Sequence, residues 1–143
     1  ASSNVMSAGR LKDYKGKTLV LYFYSEAGSP TCTLESCNLR DNYAALIKKG
    51  FDVLGISTDT PIAQSKFKTK YKLPFRLAAD PDNKISTAYG VYDMKKLFGR
   101  EYMGILRTTF IIDGKGIIRK IFHKPKNKAH GEEIMAIYKP GDR

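Results

Sequence analysis

Apolar and polar positions follow two alternating periods along the chain, and each change of period predicts a change of secondary structure. Residues 18–24 and 51–57 are nearly continuous apolar runs, which is typical of strands buried on both faces. Between them, apolar side chains recur at helical spacing over 30–49, which predicts one amphipathic helix. Its predicted buried stripe comprises Leu39, Tyr43, Leu46 and Ile47.

Two polar segments carry helix start signals. Ser29 is suited to the N-cap, and Pro30 to the first helical position, where its missing N–H costs nothing. Thr60 and Pro61 repeat that pair after the second strand and predict a second helix. The first helix therefore begins directly after a buried strand and its turn.

The second half of the chain continues the alternation. In order, the pattern predicts a strand over 74–78, a brief helix capped by Asp80 or Asp82, an irregular segment over 91–104, a hairpin of strands 106–112 and 117–122, and a helix over 129–138. This order implies an α/β protein with a mixed central β-sheet flanked by helices. At 143 residues, the thioredoxin-like fold is the arrangement that fits it.

Length and composition set the domain organisation. A chain of 143 residues with 42% hydrophobic side chains is enough for one globular domain, which we assign to residues 10–143. Residues 1–9 are small and polar and are expected to be disordered or linker-like. No apolar run approaches the roughly 20 residues that span a bilayer, and no secretory signal is evident. We expect an intracellular protein without a membrane partner, most simply cytoplasmic, with the nucleus or an organelle left open.

The net charge of +11 favours acidic partners and polyanions. Residues 95–143 contain 12 basic and 5 acidic side chains, and Lys124, Lys126 and Lys128 are spaced to lie along a phosphate backbone. One interpretation is a solvated lysine-rich surface. The alternative is a basic nucleic-acid-binding or chaperone-like module, although no RNA-binding aromatic motif or zinc knuckle accompanies the lysines.

The candidate chemistry centres on two cysteines, too few for the disulfide framework of a small secreted domain. Their spacing with His123 and His130 does not match a zinc site. Cys32 is the third residue of the predicted helix, where unpaired N–H groups and the helix dipole favour a thiolate. That position suits attack on an electrophilic oxygen or sulfur. The alternative is an inert core cysteine.

Cys37 follows five residues later, about 7.5 Å along the helix axis and turned roughly 140° from Cys32. A disulfide needs Cα atoms within about 4.4–6.8 Å of each other. An intact helix therefore holds the two thiols apart, and a bond between them requires the first turn or more to unwind. Such a pair is a poor structural disulfide and a good catalytic one, with two unrelated buried thiols as the other interpretation.

Three further residues are candidates for holding the electrophile and stabilising charge as the bond to its leaving group breaks. The hydroxyl of Ser29 is placed to donate from the cap toward Cys32. Glu35, one turn after Cys32, can orient a basic side chain over the site. Arg107 lies in an apolar strand, where arginine is rarely buried without a partner; the alternative is an edge-strand arginine that points to solvent.

Several motifs together resemble the bacterioferritin comigratory protein, or peroxiredoxin Q, branch of the peroxiredoxins. Over roughly residues 10–135 they are LYFY (21–24), SPTCTLESC (29–37), RDNY (40–43), GISTD (55–59), LPF (73–75), DP (80–81), AYGV (88–91) and RTTF (107–110). The resemblance implies a thioredoxin fold and a thiol-dependent peroxidase that reduces hydrogen peroxide and organic hydroperoxides. A protein disulfide oxidoreductase of that fold would carry C-x-x-C, which this chain lacks.

The resemblance also implies roles. By position, Cys32 matches the peroxidatic cysteine, which forms a sulfenic acid, and Cys37 the resolving cysteine of an intramolecular disulfide. Ser29, Glu35 and Arg107 match the family's active-site hydroxyl, acid and arginine. Re-reduction by thioredoxin or a similar dithiol protein is implied, as is a monomer. No metal, flavin or haem is implied.

Three departures from the family pattern stand out. Ser25 occupies the position, seven residues before Cys32, where the family usually has a proline that shields the thiolate, so we expect a looser pocket. Thr31 replaces the usual glycine before the nucleophile, which we expect to stiffen the segment that must unwind. No segment matches the family's usual N-terminal hairpin, so we expect the domain over 10–143 to lack it.

Overall fold

The computed structural model describes residues 5–6, 14 and 16–140. The helices are α1 (Pro30–Asp41), α2 (Tyr43–Lys48), α3 (Pro61–Tyr71), α4 (Lys84–Ala88) and α5 (His130–Ile137). The strands are β1 (Val5–Met6), β2 (Thr18–Phe23), β3 (Phe51–Ser57), β4 (Arg76–Ala79), β5 (Tyr92–Leu97), β6 (Arg100–Ile105), β7 (Thr108–Ile112) and β8 (Ile118–His123). None of these helices is long and apolar enough to cross a membrane, within the residues described.

Among the described residues, six strands form one sheet in the order β1-β4-β3-β2-β7-β8. The first four of these are parallel to one another, whereas β7 runs antiparallel to β2 and β8 antiparallel to β7. The mixed sheet with flanking helices confirms the predicted fold class. Of residues 1–9, only β1 is described, paired with β4; the linker-like expectation for the other seven lies outside the described residues.

β2 is the centre of the molecule because its alternate side chains enter two different cores. Val20 and Tyr22 belong to a core that also contains Cys32 and buried side chains of α1, α2, α3 and α5. Leu19 and Leu21 belong to the core on the opposite face, beside α4 and the β5–β6 hairpin. The sheet therefore has a helix-covered face, and the candidate nucleophile lies on that face.

Several predicted boundaries are confirmed. β3 occupies 51–57, as predicted. All but one of its residues are buried, which is what its nearly continuous apolar run indicates. α3 begins at Pro61, and the Thr60 hydroxyl accepts the Ala63 N–H at 3.2 Å, as its cap sequence predicts. The predicted brief helix is also present, and Asp80 accepts the backbone N–H groups of Ile85 and Ser86.

The single helix predicted over 30–49 is wrong, because the structure divides it at Asn42 into α1 and α2. The Asn42 amide donates to the Asn38 carbonyl at 2.9 Å and to Glu132 of α5 at 3.1 Å. These bonds join the break to a neighbouring helix. Of the predicted stripe, Leu39 and Leu46 are buried, Tyr43 is half-buried and Ile47 is 43% exposed.

The irregular segment predicted over 91–104 is also wrong. β5 and β6 pair there in an antiparallel hairpin from Tyr92 opposite Ile105 to Leu97 opposite Arg100. Phe98 and Gly99 close it with positive φ angles of 51° and 76°. Most side chains of β6 are exposed, so neither strand carries the alternation from which a half-buried strand is recognised.

Candidate active site

Cys32 is the third residue of α1, as predicted, and its side chain is fully buried. Ser29 is the N-cap residue, with extended φ and ψ of −67° and 148°, and its carbonyl accepts the Thr33 N–H at 2.9 Å. The thiol therefore lies on the first helical turn. Cys37 lies half-buried on the same continuous helix, and both thiols are free.

The hydroxyl beside the Cys32 sulfur is that of Ser25, with Oγ 3.4 Å from Sγ. The predicted contact from Ser29 to Cys32 is wrong, because Ser29 Oγ donates to the Glu26 carbonyl at 3.1 Å. The turn before the helix curls back on itself and directs the Ser29 hydroxyl at its own backbone. We expected the pocket to be looser because Ser25 replaces a proline. Instead, the Ser25 side chain contacts the thiol directly.

The structure brings Glu35 and Arg107 together from distant parts of the sequence. Arg107 Nη2 lies 3.5 Å from Glu35 Oε1 and donates to the Pro125 carbonyl at 2.9 Å. Glu35 is fully buried and the Arg107 side chain is 20% exposed, so the arginine does not point into solvent. Its Nε–H is buried and has no hydrogen-bond partner among the described residues.

His130 joins this cluster, which sequence reasoning missed. At the start of α5, its Nε2 lies 2.8 Å from Thr109 Oγ1 and 3.8 Å from Glu35 Oε2. Its Nδ1 lies 2.7 Å from Glu133 Oε1. In the sequence, His130 stood out only as a possible zinc ligand, at a spacing that does not match a zinc site. The one local signal was Glu133, three residues later on a predicted helix, a spacing that places both side chains on one face.

Burial determines the charge states of this cluster. It raises the pKa of Glu35 to about 7, although the nearby Arg107 guanidinium opposes the shift. It lowers the pKa of His130, although the hydrogen bond between the ring and the Glu133 carboxylate opposes this shift. The imidazole is therefore neutral near pH 7, whereas both charge states of Glu35 are populated. A carboxyl group that exchanges a proton near neutral pH thus lies one turn after Cys32.

A buried hydrogen bond holds α1 between its two cysteines, where Tyr22 Oη lies 2.9 Å from Ser36 Oγ. The Tyr22 ring reaches the helix by passing over Gly55 of β3. A Cβ atom at that glycine would lie 2.8 Å from the ring and 2.9 Å from Leu77. The glycine in this strand therefore makes the contact between sheet and helix possible.

The end of α1 is tied to α5 by Asn38. Its Nδ2 donates to the Lys128 carbonyl at 3.0 Å and to Glu132 Oε1 at 2.9 Å, and its Oδ1 accepts the Gly131 N–H at 2.7 Å. Asn38 directly follows Cys37. The resolving-cysteine candidate therefore lies at the edge of an anchored part of the helix.

Comparison with known proteins identifies the family. The sequence pattern of the AhpC/TSA family matches residues 6–121. The chain belongs to this family. It is 46% identical over 125 residues to the putative peroxiredoxin bcp of Coxiella burnetii, covering 87% of this chain and 83% of that one. It is 42% identical over 130 residues to peroxiredoxin Bcp of Bacillus subtilis, covering 91% and 83%.

A solved structure agrees with these relatives. The bacterioferritin comigratory protein of Xanthomonas campestris superposes with a TM-score of 0.81 at 28% identity, covering 88% of this chain and 80% of that one. The resemblance to the bacterioferritin comigratory protein branch is therefore confirmed, and the enzyme class is that of a peroxiredoxin peroxidase. The alternative of a basic nucleic-acid-binding module is not favoured.

Proposed function

We propose that this peroxiredoxin reduces hydrogen peroxide and organic hydroperoxides with Cys32 as the peroxidatic and Cys37 as the resolving cysteine. The observation that carries the proposal is the arrangement of two free thiols on one helix. Cys32 is fully buried on its first turn, and Cys37 is half-buried five residues later. Organic substrates are supported by the Xanthomonas campestris relative, which is described by its alkyl peroxide reduction activity.

In the first step the Cys32 thiolate attacks one peroxide oxygen. The S–O bond forms as the O–O bond breaks, and the leaving oxygen takes up a proton to give water or an alcohol. Cys32 becomes a sulfenic acid. The unpartnered Nε–H of Arg107 is a donor for the developing negative charge, and Glu35 orients that guanidinium. Ser29 takes part if its hydroxyl exchanges the Glu26 carbonyl for the peroxide.

In the second step the Cys37 thiolate attacks the sulfenic sulfur. The S–S bond forms as the S–O bond breaks, and the leaving hydroxide takes up a proton to give water. On a regular helix the two Cα atoms are too far apart for this bond. Residues 32–36 must therefore leave helical geometry, which breaks the Tyr22–Ser36 hydrogen bond. Asn38 keeps the following part of α1 on α5 while this happens.

Thioredoxin or a similar dithiol protein then returns two electrons by thiol–disulfide exchange. Such a cycle fits a reducing compartment inside the cell. Both cysteines of the cycle belong to one chain, which supports a monomer as the working unit. Its single domain takes in β1 as well as the predicted residues 10–143, because β1 pairs with β4.

The test is the free-thiol content and intact mass after one equivalent of hydrogen peroxide, for wild type, Cys32→Ser and Cys37→Ser. Wild type is expected to lose two thiols and two mass units. Cys37→Ser should retain a sulfenic acid that a dimedone probe captures, and Cys32→Ser should stay unchanged. If wild type keeps both thiols, or if Cys32→Ser is oxidised as fast as wild type, the proposal is wrong.

A further inference from the structure

We propose that Ser25 is a catalytic residue whose hydroxyl donates a hydrogen bond to the Cys32 thiolate. The inference rests on the proposed role of Cys32 as nucleophile. Ser25 Oγ lies 3.4 Å from Cys32 Sγ, within hydrogen-bond range for sulfur, and the sulfur is fully buried. Among the described residues, this is the side-chain hydroxyl that contacts the reacting atom.

The direction of this hydrogen bond follows from the charge state of the sulfur. When Cys32 is a thiol, either group can donate, and the bond is a weak neutral one. When Cys32 is a thiolate, only the Ser25 hydroxyl can donate, and a bond to an ion is about twice as strong. The contact therefore stabilises the thiolate more than the thiol.

Burial makes this donor important. A buried anion loses its water and is costly unless polar groups of the protein replace that water. The first-turn N–H groups of α1 supply part of the replacement. A side-chain hydroxyl supplies a further donor, and Ser29 is not free to do so while it donates to the Glu26 carbonyl.

The loop that carries Ser25 is held in place on both sides. Before it, the Tyr24 N–H donates to the Ile56 carbonyl at 3.0 Å, which fixes the end of β2. After it, the Ala27 N–H donates to Asp59 Oδ2 at 2.7 Å, and that oxygen also accepts the Ser57 hydroxyl at 2.6 Å. The Ser25 hydroxyl is thus positioned before a peroxide arrives.

The test uses alkylation of Cys32 by iodoacetamide as a function of pH, in the Cys37→Ser background. Ser25→Ala removes the donor, and Ser25→Thr retains it. Ser65→Ala is the matched control, because it removes a half-buried serine hydroxyl of α3. The second-order rate with hydrogen peroxide is then measured for the same four proteins.

For Ser25→Ala we expect the midpoint of the alkylation profile to rise by about one pH unit, so that alkylation is about tenfold slower at low pH. Above both midpoints the rate should equal or exceed that of the parent by up to about threefold, because a less stabilised thiolate is more nucleophilic. The two profiles should cross. Ser25→Thr and Ser65→Ala should follow the parent.

An unchanged Ser25→Ala profile, a loss by the same factor at every pH, or a threonine variant that behaves like alanine would overturn the role of Ser25. The alkylation readout does not depend on peroxide chemistry. If the profiles cross but none of the four proteins reacts with peroxide, the Ser25 contact stands and the proposed function fails. If all react rapidly and alkylation is unmoved, the proposed function stands and the Ser25 role fails.

Discussion

The two halves of helix α1 are held in different ways. The half that carries Cys32 is held by the Ser25 contact, by one buried hydrogen bond between Tyr22 and Ser36, and by the buried side chain of Glu35. The half that begins at Asn38 is bound to α5 through several hydrogen bonds. In the proposed mechanism, unwinding is therefore confined to the residues between the two cysteines while the rest of the helix stays docked on α5.

The half of α1 that carries Cys32, its front half, also carries Glu35. The pKa of this carboxyl group is about 7 in the folded protein, above its ordinary value of 4.5. The folded protein therefore binds this proton more tightly than the unfolded chain does. Protonated Glu35 therefore adds to the free energy of unfolding. This contribution is fully present below pH 4.5 and is lost as the pH rises through about 7. The charged or titratable groups that interact with Glu35 include Arg107, His130, Glu133 and Tyr22.

Replacing Glu35 by Gln removes this titration and gives the largest effect we expect. As the pH rises from 4.5 to 8, the free energy of unfolding of wild type should fall relative to that of Glu35→Gln by on the order of 3 kcal/mol. Urea denaturation at several pH values measures it. The contribution of His130, whose lowered pKa has the opposite slope, is common to both proteins. Glu26→Gln, which changes an exposed glutamate of the turn before α1, is the control. If the free energies of unfolding of Glu35→Gln and wild type differ by the same amount at every pH, Glu35 does not titrate as proposed.

Asn38→Ala tests the anchored half. It removes two hydrogen bonds between α1 and α5, which join Asn38 to Glu132 and to the Gly131 N–H, and a third to the Lys128 carbonyl in the loop before α5. The free energy of unfolding should fall by about 2 kcal/mol. Asn127→Ala, a half-buried asparagine in the preceding loop, should change it by less than about 0.5 kcal/mol. Equal losses in the two variants would remove the distinction between the halves.

Tyr22→Phe tests the front half and should have the smallest effect on stability, about 1 kcal/mol. Because the bond to Ser36 must break before Cys37 reaches Cys32, its loss should speed disulfide closure by about threefold to fivefold. The decay of the sulfenic acid in stopped-flow fluorescence with a competing probe measures this rate. Slower closure in Tyr22→Phe would show that the hydrogen bond guides the helix rather than restrains it.

The sequence predicted those parts of the fold whose pattern comes from burial. β2 and β3 are buried on both faces, so their bounds were predicted accurately, and the cap sequence before α3 predicted where that helix begins. The hairpin of β5 and β6 was missed because most of its side chains are exposed, which leaves no periodicity to read. The break at Asn42 was missed because its cause is a contact with Glu132, ninety positions away.

For the candidate site as well, local sequence patterns predicted some residues, while others depend on distant contacts. The helix cap located Cys32, and helical spacing located Cys37 and Glu35. The choice between Ser25 and Ser29 could not be made from sequence, because the anchor from Ala27 to Asp59 decides how the turn folds. His130 also reaches the site only through the packing of α5.

The most direct test of the Cys32–Cys37 pairing is a double digest of wild type after one equivalent of peroxide. Cleavage at basic residues and after Glu26 and Glu35 separates the cysteines into peptides 27–35 and 36–40. We expect these peptides to stay joined by a bond that a reductant cleaves, and to separate when peroxide is omitted. Two free peptides after oxidation, or peptide 27–35 joined to a second copy of itself, would contradict an intramolecular resolving cysteine.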